Sequence, residues 1–446
     1  MKDAHPLEKT VGMELYATDC DGVGGRLKTR YEDFLVEEIT IDNEILSFKE
    51  WSNRPPGEPI LEGKRSKYVS FTVQKMGLST MDVSTIIASS LGLPRNLVSY
   101  AGLKDKRAVT VQRMTAPIRA ARGLGTLELT NIEIRDIEHS RKLVQIGDLL
   151  GNRFTILLRD LEVTLDKALE VAEEVQSSPL LNYFGFQRFG IARPNTHIAG
   201  KHLIKRDFEG MIRSILCMPG EYEDQELLAA RAELADNLTP TEKIINVFPK
   251  DLHYERIVME ELMKYPGEFK RAVTRIPPRI LTLMVHAYQS FLFNRLLSKR
   301  VKSGMSHVIP EPGDFLIALD ETHSGRDSWL YVSESTVEER RQQVTDMKYA
   351  LALPSPGYAT HLPPTKQSEM LKEILSDEGI TFKDFRDPEM RSIDATGGFH
   401  RTSITLTDWE ASKQDEGLLV KFSLSKGSYA TVVLRELMKN HPINRI

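Results

Sequence analysis

What most constrains the folding of this chain is a hydrophobic period that switches between two and about 3.6 along its first half. Across 67–76, Val69, Phe71 and Val73 share one face and Tyr68, Ser70 and Thr72 the other, which predicts a half-buried strand. Thr80 then caps a predicted helix carrying Val83, Ile86, Ile87 and Leu91, and Gly92-Leu93-Pro94 ends it. Alternation returns over 108–114, with Val109 and Val111 on one face, and over 153–159, with Phe154, Ile156 and Leu158. A helix over 165–175 follows, striped by Leu165, Leu169, Ala172 and Val175. Strands mixed with helices over short connections predict a mixed α+β fold, one largely antiparallel sheet backed by helices.

The 446 residues predict two or three domains. Composition shifts near residue 207, and residues 221–236 carry Glu221, Glu223, Asp224, Glu226, Glu233 and Asp236 against Arg231 alone, which reads as a solvated helical face. Pro277-Pro278 opens a long helix with Leu281, Val285, Tyr288, Leu292 and Leu296 on one stripe. The stretch from Pro310 to Pro364 reads as short strands and turns. Residues 418–424 and 429–434 read as strands again. The longest greasy region, 280–297, is broken by His286, Gln289, Asn294 and Arg295, so no membrane span is expected. Neither is a secretory leader, and two cysteines, Cys20 and Cys217, fit a reducing cytoplasm.

The chemistry must run on ordinary side chains. No phosphate-cradling G-x-x-x-x-G-K-[ST], H-E-x-x-H, C-x-x-C or G-x-S-x-G occurs, and His197 and His202 are five apart, off the ligand spacing. A formal charge of −4 excludes polyanion binding by bulk charge and leaves local patches. The densest patch holds Arg95, Lys104, Lys106, Arg107, Arg113, Arg119 and Arg122 around the single acid Asp105. A carboxylate among so many cations suits a nucleophile or general base, and the cations suit a phosphate backbone. An ordinary salt-bridged surface turn fits the same spacing. A second patch, 182–206, has Arg188, Arg193, Lys201, Lys205 and Arg206 without an acid. It begins with Phe184, Phe186 and Phe189 between glycines, a pattern that fits base stacking but more often fills a core.

Six segments, in order, resemble the TruD family of tRNA pseudouridine synthases. They are Lys28 with Glu32-Asp33-Phe34-Leu35-Val36-Glu37-Glu38, then Ala101-Gly102-Leu103-Lys104-Asp105-Lys106, then Gly151-Asn152-Arg153-Phe154. Residues 182–190, the helix 287–294 and Gly427-Ser428-Tyr429-Ala430-Thr431 complete the set. The resemblance implies a pseudouridine synthase catalytic domain, 1–207 and 397–446, interrupted by an inserted α/β domain at 208–396. It also implies tRNA as partner, uridine 13 of the D-arm as target, and no cofactor. Asp105 then matches the catalytic aspartate and Phe184 the base-stacking aromatic. Asn182 would hydrogen-bond base or sugar, Phe34 and Tyr429 would line the pocket, and Lys28 would pair with Asp105. Lys104, Lys106, Arg107, Gln187 and Arg188 would bind RNA. Two competing readings are a non-catalytic RNA-binding protein or tRNA chaperone, and a metal-independent RNA hydrolase built on His400 and Arg401.

Overall fold

The computed structural model describes residues 1–52, 54–57, 66–319 and 329–445. These fall into two compact units. One comprises 18–180 and the chain from Ile404 onward; the other comprises 1–17, 181–318 and the part from Trp329 to Ser403.

The first unit is built on a nine-stranded sheet. Thr407–Gln414, Gly417–Ser425, Leu149–Leu161, Phe34–Thr40, Val109–Pro117, Tyr68–Met76 and Ile132–Ser140 lie side by side in that order. Every neighbouring pair is antiparallel except Phe34–Thr40 with Val109–Pro117, which run parallel with Leu35 opposite Val109. This parallel pair brings the loop before Val109 beside the turn before Phe34. Val69, Phe71 and Val73 pack with Val83, Ile87, Met114, Leu124 and Ile134 into one core, as the alternation predicts. From Thr72 onward both faces of that strand are covered, and Gln74 and Lys75 are buried too.

Local chemistry corrects several expectations. Ser79, not Thr80, caps the helix Thr80–Ser90: its hydroxyl accepts from Asp82 N–H while the Asp82 carboxylate returns to Ser79 N–H. That leaves the Thr80 hydroxyl free for another task. The helix Leu165–Ser177 buries Ala168, Val171, Ala172 and Val175, so its stripe is rotated away from Leu165 and Leu169. Small alanines let it lie close on Thr407–Gln414 and Gly417–Ser425. The expected strand at 429–434 is a helix, Ala430–Met438, with Tyr429 at its N-cap. Burial of Val432, Val433, Leu434 and Leu437 overrides the β preference of that run.

In the second unit the helix Pro278–Lys302 runs for 25 residues with Pro278 in its first turn, and Leu281, Val285, Tyr288, Leu292 and Leu296 are all buried. Helix Thr196–Ile204 packs along it. A four-stranded antiparallel sheet, in the order Trp329–Tyr331, Phe315–Ala318, Tyr349–Ser355, Gly398–Arg401, accounts for much of 310–364. A helix, Val337–Thr345, also lies there; its polar sequence hid it, and Val337 and Val344 anchor it on Leu316, Val332 and Leu351. The acidic stretch runs into the helix Gln225–Asn237, which keeps Glu226, Glu233 and Asp236 exposed but buries Leu227, Ala230, Leu234 and Arg231, the last held by Glu223 at 2.7 Å. The units part at 180/181 and 403/404, where the resemblance puts the insertion at 208–396. Residues 181–207 go with the helical unit because Arg193 pairs with Glu255 at 2.8 Å and Asn195 donates to Ser214 O at 2.7 Å. No described helix is long and apolar enough to cross a membrane.

Among its described residues the helical unit buries a full ion pair, Arg300 with Asp314. Both Arg300 Nη atoms meet the Asp314 carboxylate, at 2.6 and 2.7 Å, with both side chains nearly inaccessible. Asp314→Ala strands the guanidinium, and urea denaturation should register a loss of about 3–5 kcal/mol. The double variant Arg300→Met/Asp314→Leu should lose much less, because neither charge is left alone.

Candidate active site

The loop 101–107 enters the strand Val109–Pro117 with its backbone held at several points. Thr80 Oγ1 accepts from Lys104 N–H at 2.9 Å and donates to Gln112 Oε1 at 2.9 Å. Gln112 Nε2 donates to Gly102 O, and Gly147 N–H donates to Ala101 O. Under the loop, Lys104 Nζ lies 2.7 Å from Glu38 Oε2 and 2.7 Å from Asn152 Oδ1, sealed from solvent. Lys104 is therefore unavailable to an RNA phosphate and acts as a buried strut.

Asp105 projects from this frame with its side chain 51% exposed. Its Oδ2 is 3.2 Å from Lys28 Nζ. Lys28 sits at φ +54°, a left-handed backbone that costs a lysine energy and here aims the side chain. The same ammonium lies 4.4 Å from the centroid of the Phe34 ring, a cation–π contact. Phe34 itself is buried edge-to-face against Phe154 at 6.2 Å, so it serves the site by holding Lys28. Lys106 and Arg107 are exposed beside Asp105. Tyr429 is half-buried at the head of its helix in the same unit.

Asn182, Phe184, Gln187 and Arg188 belong to the helical unit, where the helix Pro278–Lys302 holds their loop through side chains four apart. Ser290 Oγ accepts from Arg188 Nε at 3.2 Å. Asn294 takes both backbone groups of Phe184: Oδ1 accepts its N–H and Nδ2 donates to its carbonyl, each at 2.9 Å. Ser298 Oγ is 2.8 Å from the Tyr183 hydroxyl. Positions i, i+4 and i+8 fall on one face of a helix, so one stripe fixes three consecutive parts of the loop. Gln187 is exposed.

On this support Phe184 lies half-exposed, stacked on His400 at 4.4 Å, with Arg188 5.9 Å from its centroid. Phe293 meets both rings edge-on. Asn182 is completely buried; its Nδ2 donates to Arg401 O at 3.1 Å and approaches His400 Nε2 at 3.0 Å. The backbone carbonyl fixes the amide's orientation, which leaves Asn182 Oδ1 as an acceptor without a partner. Desolvation lowers the His400 pKa to about 3, so the ring stays neutral and accepts from Asn182. That is a poor general acid, and His400 serves instead as the under-layer of the Phe184 stack. Arg401 is buried beside it. His197 is a core residue too, stacked on Phe291 at 4.9 Å and pushed down to about 4 by burial.

Sequence reasoning missed the supporting roles of Asn294 and Ser290. The recurrence of Ser290, Asn294 and Ser298 at four-residue spacing along that helix was the available signal. Asn294→Ala should lower thermal stability, since two Phe184 backbone groups lose their partner at about 1–3 kcal/mol each. It should also reduce turnover, read alongside the melting curve of the full chain.

The family model described as tRNA pseudouridine synthase D (TruD) matches residues 10–437. The Probable tRNA pseudouridine synthase D of Methanosarcina acetivorans is 31% identical over 98% of this chain and 98% of its own. The protein of the same description from Methanopyrus kandleri is 33% identical over 84% of this chain and 86% of its own. The crystal structure of tRNA pseudouridine synthase D from Methanosarcina mazei aligns with a TM-score of 0.81 at 28% identity, covering 99% of this chain and 100% of that one. Sequence and fold match together over nearly the whole length, and the chain belongs to the tRNA pseudouridine synthase D (TruD) family.

Proposed function

We propose that this protein isomerises uridine 13 in the D-arm of tRNA to pseudouridine, with Asp105 as the group that acts on the ribose and no organic cofactor or metal. One observation carries the reading: a half-exposed carboxylate on a braced loop, met by a single nearly buried ammonium at 3.2 Å. The reaction breaks C1′–N1, turns the uracil and joins C1′ to C5, after which the C5 proton leaves. The Asp105 carboxylate attacks C1′, or removes the C2′ proton to give a glycal; in both routes the N1 side of uracil leaves with the bonding pair. C5 then bonds C1′ either by displacing the carboxylate or as the proton returns to C2′ of the glycal. Lys28 holds the carboxylate oriented and compensates its charge.

The uridine must leave its stack before any of this, and Phe184 offers the replacement surface. His400 behind the ring and Asn294 behind its backbone keep that surface fixed. Asn182 Oδ1, a buried acceptor with no partner, fits the N3–H of uracil, which cytosine lacks. Lys106, Arg107, Gln187 and Arg188 are the groups proposed to meet the RNA, the cations at backbone phosphate, and Tyr429 completes the set.

The direct experiment incubates the full chain with unmodified tRNA carrying tritium at uridine C5 and maps released label to a nucleotide. Release at position 13 is the expected result. Tight binding without release would favour a non-catalytic RNA binder, and cleaved RNA would favour a hydrolase. Asp105→Asn should lower turnover by at least about 10³-fold while melting temperature and tRNA retention stay near wild type. Phe184→Ala should cost turnover about 1–3 kcal/mol of stacking. Unchanged kinetics with a lowered melting temperature would make Phe184 a core residue only.

A further inference from the structure

Lys75, next to last in the strand Tyr68–Met76, lies where a cation is hard to explain by packing. Its side chain is 0% exposed, and its cross-strand neighbours are Thr110 and Ile132, neither able to balance a charge. Burying an ammonium is costly, and an apolar residue would fill the same space without that cost. Its Nζ donates to two backbone carbonyls instead, Leu78 O at 2.7 Å and Asp105 O at 2.9 Å. It thereby ties the loop that carries Asp105 to the turn before helix Thr80–Ser90.

We infer that Lys75 is a positioning residue for Asp105: its ammonium grips the Asp105 carbonyl and fixes the backbone from which the carboxylate projects. The inference rests on the role proposed above for Asp105. A carboxylate on a loop keeps its aim only if its own peptide is held, and Lys75 is the side chain that bonds that peptide's carbonyl. A charged donor makes a stronger grip than a neutral amine. The charged and titratable groups around Lys75 are Asp105 and Lys104 from the loop and Asp82 from the helix. Desolvation and Lys104 lower its pKa and the two aspartates raise it, leaving it at about 8. The charge, and with it the firm grip, is present below that pH and lost as pH rises through it.

The test follows pseudouridine formation on tRNA, as kcat and KM, from about pH 6.5 to about pH 9.5. Wild type should lose kcat through about pH 8 with a steady KM. Lys75→Met should lose about tenfold or more in kcat at pH 7, keep KM within about twofold, and show no fall near pH 8. Lys75→Arg stays charged at every pH tested, so it should keep more kcat than Lys75→Met and lose the fall near pH 8. A folded Lys75→Met with wild-type kcat overturns the inference. So does a fall that persists at the same pH in Lys75→Arg, which decides the matter if Lys75→Met does not fold. Wild type and Asp105→Asn run alongside: a wild type without activity sinks the proposed function, whereas an active wild type beside an inactive Asp105→Asn leaves only Lys75 in question.

Discussion

The contact between Lys28 Nζ and Asp105 Oδ2, 3.2 Å long, is the constraint on which the proposed reading of the sheet unit depends. An exposed carboxylate alone is free to rotate and to pair with any passing cation. Here the cation is chosen by the fold, because Lys28 is nearly buried, bent through a left-handed backbone and laid over Phe34. The parallel pairing of Phe34–Thr40 with Val109–Pro117 is what carries both residues to one end of the sheet. Beneath them the buried Lys104–Glu38 pair supports the loop. Breaking either member leaves an uncompensated charge, so such a pair holds position more than it adds net stability.

In the helical unit the group held in place is an aromatic ring, Phe184. Phe184 is a flat surface only while its backbone and its rear are held. Asn294 does the first with both ends of its amide, and His400 does the second as a neutral ring. The helix that supplies Asn294 also supplies Ser290 and Ser298, which explains why its later turns bury polar residues where an ordinary core helix would bury leucine. Each hydroxyl or amide on that stripe finds a loop partner, so burial costs little.

The limits of legibility fall at particular residues. Strand alternation placed Val69, Phe71 and Val73 correctly, and the stripe from Leu281 to Leu296 was visible in full. Tyr429–Leu434 read as a strand because valines favour one, yet packing made it helical. Lys104 and Lys106 are two apart and chemically alike in the sequence; one is a sealed strut and the other a surface cation. Phe34 and Phe184 both read as site aromatics, and only the second shows a face. Lys75 gave no signal, since a lysine near the end of a strand is usually solvated.

By itself the sequence determined the class of fold, the identity of Asp105 as the carboxylate in a basic loop, and the aromatic run around Phe184. Those follow from local periodicity, charge and motif order, which are properties of neighbours along the chain. The tertiary structure alone decided which cation meets Asp105, which amide holds Phe184, and which lysines are struts. These depend on pairings between residues 77 apart for Lys28 with Asp105 and 110 apart for Phe184 with Asn294. Burial then sets the outcome: the same ammonium is a ligand for phosphate in water and a backbone clamp once water is excluded.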